Sequence, residues 1–215
     1  MSSSRISQLI LELQQELQKE NINPCDGLPE DLFLFSTTLA PVANVDLFIT
    51  DTERRVLLSW CEDEHYGKGW HIPGGCLRIK ETMESRIQKT AVKELGCEVS
   101  YNLQPLVVKE LILKNERPWL KNQLERSHNI SVLFECKLPR GYTIHNDSKD
   151  EHTAGFLRWF DHVPEDLLDA HKDIYGEFLT NWFNRPAMKC QLDDRDLIAF
   201  SASFETSTSG GKIGT

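Results

Sequence analysis

Residues 71–99 read HIPGGCLRIKETMESRIQKTAVKELGCEV, a brief strand that runs into two glycines and then into a helix. Gly74 and Gly75 carry no Cβ, so their backbone can approach a ligand closely and offer carbonyls to a hard cation. The pattern predicts a helix over residues 81–95, closed by Gly96 in the C-cap place. Its exposed side carries Glu94 beside Lys93 and Thr90. Upstream, ANVDLFIT and RVLLSW are rich in strand-forming residues, and the intervening DTER reads as a hairpin turn. Downstream come PLVVKELIL, NISVLFECKL and GFLRWF, then two predicted helices at 164–170 and 174–184. A short helix over 29–38 precedes them all. This order of elements implies an α/β sandwich, with a mixed sheet held between helices.

The rest of the chain sets limits on function. Of 215 residues, 40% are hydrophobic and 27% charged, which suits one soluble domain with a sizeable core and a short extension. A formal charge of -9 repels polyanions over most of the surface, so nucleic acid is not an expected partner. No apolar run approaches the roughly 18–20 residues that span a bilayer, and no membrane association is expected. The cysteines at 25, 61, 76, 97, 136 and 190 form no CxxC pair, and no signal-peptide zones open the chain. Reduced thiols and a cytoplasmic location are expected.

Ile6, Leu9, Ile10, Leu13 and Leu17 fall on one stripe at helical spacing, so residues 4–20 should form an amphipathic helix. With the connector NINPCDG it makes an N-terminal extension over 1–27, the main domain occupying 28–185. Residues 186–215 end in SFETSTSGGKIGT, and this composition predicts a mobile C-terminal extension.

From Gly75, five residues lead to Glu81, seven more to Lys89, and the helix closes with Glu94, Leu95 and Gly96. This frame resembles the box of the Nudix hydrolases: Gly, five residues, Glu, seven residues, Arg-Glu, an apolar residue, any residue, Glu-Glu, any residue, Gly. The resemblance implies the Nudix α/β/α sandwich, with Glu81 and Lys89 pairing loop to helix and Gly75 as a structural glycine. Two departures matter. Thr90 and Lys93 stand where the family places carboxylates, so Glu94 alone remains of the three that gather divalent ions. One carboxylate cannot hold a metal cluster, but one Mg²⁺ is commonly bound through one or two carboxylates plus substrate phosphates and waters.

The chain is similar to the GDP-mannose mannosyl hydrolase branch, whose box is deficient in the same way. PGG, ET.E and ELG, the approach LPEDLF with VDLFI, and the segment DEHTAGFLRWF carry this likeness over residues 28–184. It implies metal ligands at Glu94, Glu151 and the Gly74 carbonyl, with Mg²⁺ or Mn²⁺ as the ion. It also implies His152 as general base, Asp46 in the substrate site, and a homodimer. A histidine suits that role, its unperturbed pKa near 6.5 matching proton abstraction at neutral pH.

In the resembled family two arginines help hold the diphosphate, and here Cys61 and Cys76 take their places. A thiol supplies neither the charge nor the fork of donors. Candidate replacements are Lys93, Arg78, Arg117, Lys121 and Arg126, and Trp119 in the same loop could stack on a base or sugar. The leading expectation is Mg²⁺-dependent hydrolysis of a nucleoside diphosphate sugar, water attacking the sugar carbon. Attack on phosphorus in a nucleoside diphosphate linked to another group, and a non-catalytic nucleotide-sugar-binding module, are the alternatives.

Overall fold

The computed structural model describes residues 2–114, 117 and 120–185. The expected C-terminal extension over 186–215 and the side chain of Trp119 lie outside the described residues.

The box helix shows how the sequence fixes local structure. Helix α3 spans Met83–Leu95, and Thr82 in extended conformation caps it by accepting the Ser85 N–H on its hydroxyl at 3.1 Å. Gly96 ends it at φ 72° with its N–H on the Val92 carbonyl, a left-handed geometry that favours glycine. Ile87, Ala91 and Leu95, spaced by four, bury one stripe of the helix. The Gln88 amide ties the following chain down by bonding both the carbonyl and the N–H of Val99.

That stripe lies on a four-stranded mixed sheet in the order β4-β1-β6-β5. Strands β1 (Val42–Ile49) and β6 (His128–Lys137) run parallel, while β4 (Gly74–Cys76) and β5 (Ser100–Ile112) flank them antiparallel. Val45, Leu47, Ile49, Val132, Phe134 and Cys136 meet α3 on one face. On the other face Phe48 and Leu133 pack with helix α4 (Asp169–Asn184) and with a second, antiparallel sheet. That sheet has the order β3-β2-β7, from β2 (Val56–Asp63), β3 (Gly67–His71) and β7 (Leu157–Phe160). The α/β sandwich with a mixed sheet is therefore present, but its strands divide between two sheets.

Of the expected pair of C-terminal helices the second is present as α4, whereas residues 164–168 are non-helical, a turn with Leu167 bridging Trp70, and the helix begins at Asp169. Ala170, Ile174, Tyr175 and Leu179 form a continuous buried stripe, so packing carries α4 through the charged His171-Lys172-Asp173 step. Helix α2 (Glu30–Thr37) occupies the place of the short predicted helix, and α1 (Ser2–Lys19) that of the amphipathic one. The apolar stripe of α1 is uncovered: Ile6, Leu9, Ile10 and Leu13 are each 41–57% exposed. Among the described residues no helix is long and apolar enough to cross a membrane.

Candidate metal and substrate site

The site is built on the open edge of β4. Asp46 pairs with Gly74 and Asn44 with Cys76, while Leu47 donates to the Pro73 carbonyl and Leu77 to that of Ala43. In an antiparallel ladder these bonds alternate, so the backbone groups of Gly74 and Cys76 point away from β1 toward the free edge. The Gly74 N–H there donates to the Glu94 carboxylate. Glu94 Oε2 is buried and without a partner among the described residues. Burial pushes the Glu94 carboxyl up to about 7, with Asp46 adding to the rise and Lys93 opposing it.

Both glycines are required by close approach. A Cβ on Gly74 would lie 1.9 Å from Asp46 Oδ1, and one on Gly75 would lie 2.8 Å from Thr90 Oγ1. Asp46 is itself buried, and desolvation raises its carboxyl to about 7 against the hydrogen bonds of Tyr175 and Ser131. Tyr175 Oη, on α4, donates to Asp46 Oδ2 at 2.5 Å. Behind it lies a neutral histidine pair. The rings of His71 and His171 are 5.5 Å apart, and burial lowers them to about 4 and about 3. His171 Nδ1 accepts the Ile72 N–H at 3.3 Å, which places its proton on Nε2. Asn44, Asp46, Tyr66, Asn129, Ser131 and His171, with Leu111, Leu168, Ala170 and Ile174, line a cavity of about 50 Å³, part polar and part apolar, beside the carboxylate.

A loop-to-helix clamp holds the segment between the glycines and α3. Glu81 accepts the Arg78 N–H at 3.0 Å, Arg86 Nη2 at 2.6 Å and Lys89 Nζ at 3.0 Å. Desolvation raises the Glu81 carboxyl, but these donors outweigh it and hold it down at about 2. A depressed carboxyl stabilises the fold above its unfolded value near 4.5 and loses that contribution as pH falls through 2. In urea titrations, Glu81→Gln should therefore be less stable than the parent at pH 7, with the difference closing between pH 4.5 and 2. A difference that stays constant over that window would remove the clamp from the account.

The sequence model of the family described as NUDIX domain matches residues 40–181. The chain belongs to the Nudix family. Among curated proteins it is similar to the low-salt glycan biosynthesis protein Agl8 of Haloferax volcanii, 32% identical over 77 residues. That match covers 36% of this chain and spans about half, 49%, of the relative. Among solved structures it is similar to a MutT protein from Methanosarcina mazei Go1, at TM-score 0.47 and 14% identity over 64% of this chain and 93% of that one. A MutT Nudix hydrolase from Burkholderia pseudomallei gives TM-score 0.46 and 20% identity over 62% and 95%.

Within this Nudix domain, the expected site residues divide. Gly74, Gly75 and Cys76 form the β4 edge, Asp46 lies across from Gly74 on the internal strand β1, Glu94 reaches the Gly74 N–H from α3 with Lys93 beside it, and Cys61 on β2 lies in the field of Glu94 and Arg126. Burial pushes the Cys61 thiol up to about 11 and raises Cys76 as well, so neither is a thiolate. Arg117 is spoken for: its guanidinium donates to the carbonyls of His65, Gln123 and Glu125, which fixes the loop rather than presenting a charge to substrate. Glu151 pairs with Arg158 on β7. His152 packs its ring 4.5 Å from Trp60. Trp60 and Cys61 point to opposite faces of β2, so His152 rests on the face opposite the one from which Cys61 meets Glu94. No group of three or more His, Cys, Asp or Glu stands together as a metal site among the described residues.

Tyr175, His71 and His171 belong to the site's surroundings and carried no signal in the box, while Arg126, an expected candidate cation, stands beside Cys76. The spacing of His171 and Tyr175, one turn apart on an apolar helix, was the available hint.

Proposed function

We propose that this Nudix domain is a Mg²⁺-dependent hydrolase, with Mn²⁺ as a substitute, acting on a nucleoside diphosphate sugar in the manner of the GDP-mannose mannosyl hydrolases. One observation carries the reading: the buried Oε2 of Glu94 without a partner among the described residues, on a glycine edge where the Gly74 N–H already holds the carboxylate. A buried carboxylate with one oxygen unpartnered is costly unless a proton or a cation answers it. Glu94 and the Gly74 carbonyl would hold the ion, which supplies neutralising charge to a departing diphosphate. The relative named for glycan biosynthesis supports a sugar-linked substrate.

The chain's own groups have distinct tasks. Asp46, fixed by Tyr175, borders the substrate at the head of the cavity. Lys93 supports negative charge at the end of α3 and disfavours a second cation. His152 is the proposed base, and Glu151 the proposed additional ligand. For both, the turn at 150–155 must leave its contacts with Trp60 and Arg158 when substrate binds. Release of nucleoside diphosphate and free sugar from a panel of nucleotide sugars, dependent on Mg²⁺, tests the reading. A panel with no turnover and intact nucleotide-sugar binding would instead establish the non-catalytic module.

A second reading has its own support. Asp46, on the neighbouring strand, lies in the field of Glu94, and two carboxylates are an inventory better suited to attack on phosphorus than Glu94 alone.

Assembly belongs to the same proposal. The uncovered stripe of α1 offers apolar area to a second copy. Light scattering should give twice the 24.7 kDa chain mass at micromolar concentration. A single-chain mass would refute the homodimer, and deletion of residues 1–22 would show how much α1 contributes.

A further inference from the structure

Two arginines from separate segments converge where the chain lacks the expected ones. Arg78 follows Cys76 by two residues, and its guanidinium carbon lies 5.7 Å from the centre of the Phe33 ring. Arg126 comes from the end of the loop before β6, and its guanidinium carbon lies 5.8 Å from the same ring and 4.9 Å from that of Tyr66. Arg126 also hydrogen-bonds the Cys76 side chain, and both arginines draw the Cys76 thiol down against its burial.

The backbone is arranged to hold them there. Arg126 sits at φ 50°, donates its N–H to Thr37 Oγ1 at 2.9 Å and accepts the Tyr66 hydroxyl on its carbonyl at 3.1 Å. Those bonds tie the loop to α2 and to the turn after β2. Gly27, at φ 139°, lies against Arg78: a Cβ there would be in ordinary contact with the guanidinium carbon at 3.7 Å. Arg126 has Asp63 as an ion-pair partner at 3.0 Å and Glu30 more distantly in its field. Asp63 is held by Arg126, and Arg78 takes part in none of the ion pairs found among the described residues. Phe33 and Arg78, though not Arg126, line an open and mostly apolar groove of about 580 Å³ next to the cluster.

We propose that Arg78 and Arg126, flanking Phe33 beside Cys76, form the diphosphate-binding pair of this domain, in place of the arginines absent at Cys61 and Cys76. The proposal rests on the nucleoside-diphosphate reading above and names the side chains that would recognise its leaving group. Guanidinium groups suit the task because their planar fork matches two phosphate oxygens at once. Arg126 donates to Asp63 and to the Cys76 side chain and retains further N–H groups, while Arg78 is in no ion pair among the described residues.

Calorimetric titration of the full chain in Mg²⁺ with GDP, UDP, ADP and inorganic pyrophosphate is the test. The parent should bind at least one of these, and Arg78→Gln should weaken that binding tenfold or more, about 1.4 kcal/mol, at an unchanged thermal midpoint. Arg78→Lys should recover only part, since an ammonium keeps the charge and loses the fork. Arg126→Lys should weaken binding in the same way while preserving the charge opposite Asp63. Arg140, in the turn beyond the far end of the ten-residue β6, provides the charge control, and Arg140→Gln should bind as the parent does. Parent affinity in both Arg78→Gln and Arg126→Lys would overturn the arginine pair and leave the nucleoside-diphosphate reading standing. A parent that binds neither the nucleotides nor pyrophosphate would overturn that reading and the arginine pair together.

Discussion

Glu94→Gln should lower Mg²⁺-dependent turnover by a hundredfold or more, about 2.7 kcal/mol of transition-state stabilisation, while the fold stays intact or gains stability. Glutamine keeps the shape of the side chain and its bond from the Gly74 N–H, but it offers no charge to a cation. The stability arm follows from the raised carboxyl, which stands at about 7 in the fold against an ordinary value near 4.5. Between those values the unfolded chain has released a proton that the fold retains, so ionisation weakens the fold as pH rises. The glutamine variant escapes that loss, and its advantage in metal-free buffer should grow from pH 4.5 to 7 and then level off. Near-normal turnover at saturating Mg²⁺ would remove Glu94 from the metal site.

Gly74→Ala should be equally severe, for a steric reason. The added Cβ would stand 1.9 Å from Asp46 Oδ1, and the β1–β4 register fixes both backbones. Asp46 has nowhere easy to turn, because Tyr175 holds its other oxygen. Overpacking of this kind costs about 1–3 kcal/mol, and displacement of Asp46 should abolish measurable turnover. The partner variant separates the two effects. In an Asp46→Ala background the same glycine change should cost little stability, since the clashing carboxylate is gone. An equal cost in both backgrounds, read from chemical denaturation, would show that the strain lies in the Gly74 backbone and not against Asp46.

Local chemistry was legible from the sequence, and distant pairings were not. The glycines, the Glu81 frame and the Gly96 cap each act within a few residues, and the helix they predict is α3 with a start two residues later. The Glu81–Lys89 pair stands at 3.0 Å, but the closer Arg86 partner was hidden because the family frame names only one cation. Residues 164–170 read as a helix of their own, but Leu167 bridges Trp70 within a turn and α4 begins only at Asp169, running on through His171-Lys172-Asp173 where Ala170, Ile174 and Tyr175 are buried. The Tyr175 bond to Asp46 joins residues 129 apart, a contact that only the packing of α4 on the sheet creates. Likewise Arg126 reaches Cys76 only because Thr37 and Tyr66 anchor the loop. His152 matched a family position in order along the chain, yet the alternation of β2 puts its resting place on the Trp60 face.

The choice between carbon and phosphorus chemistry turns on where the oxygen of water goes. Attack on phosphorus needs carboxylates that hold metal beside the nucleophile, whereas attack on the sugar carbon needs a neutralised diphosphate and a base on the far side of the ring. Thr90 and Lys93 remove two of the box carboxylates, and Lys93 disfavours additional metal. Turnover of a nucleoside diphosphate sugar in heavy-oxygen water, with products resolved by mass, is the direct measurement. The account predicts label in the free sugar, an unlabelled nucleoside diphosphate, and a loss of about a hundredfold or more in His152→Gln. Label in phosphate, with nucleoside monophosphate and sugar phosphate as products and His152→Gln near normal, would contradict it.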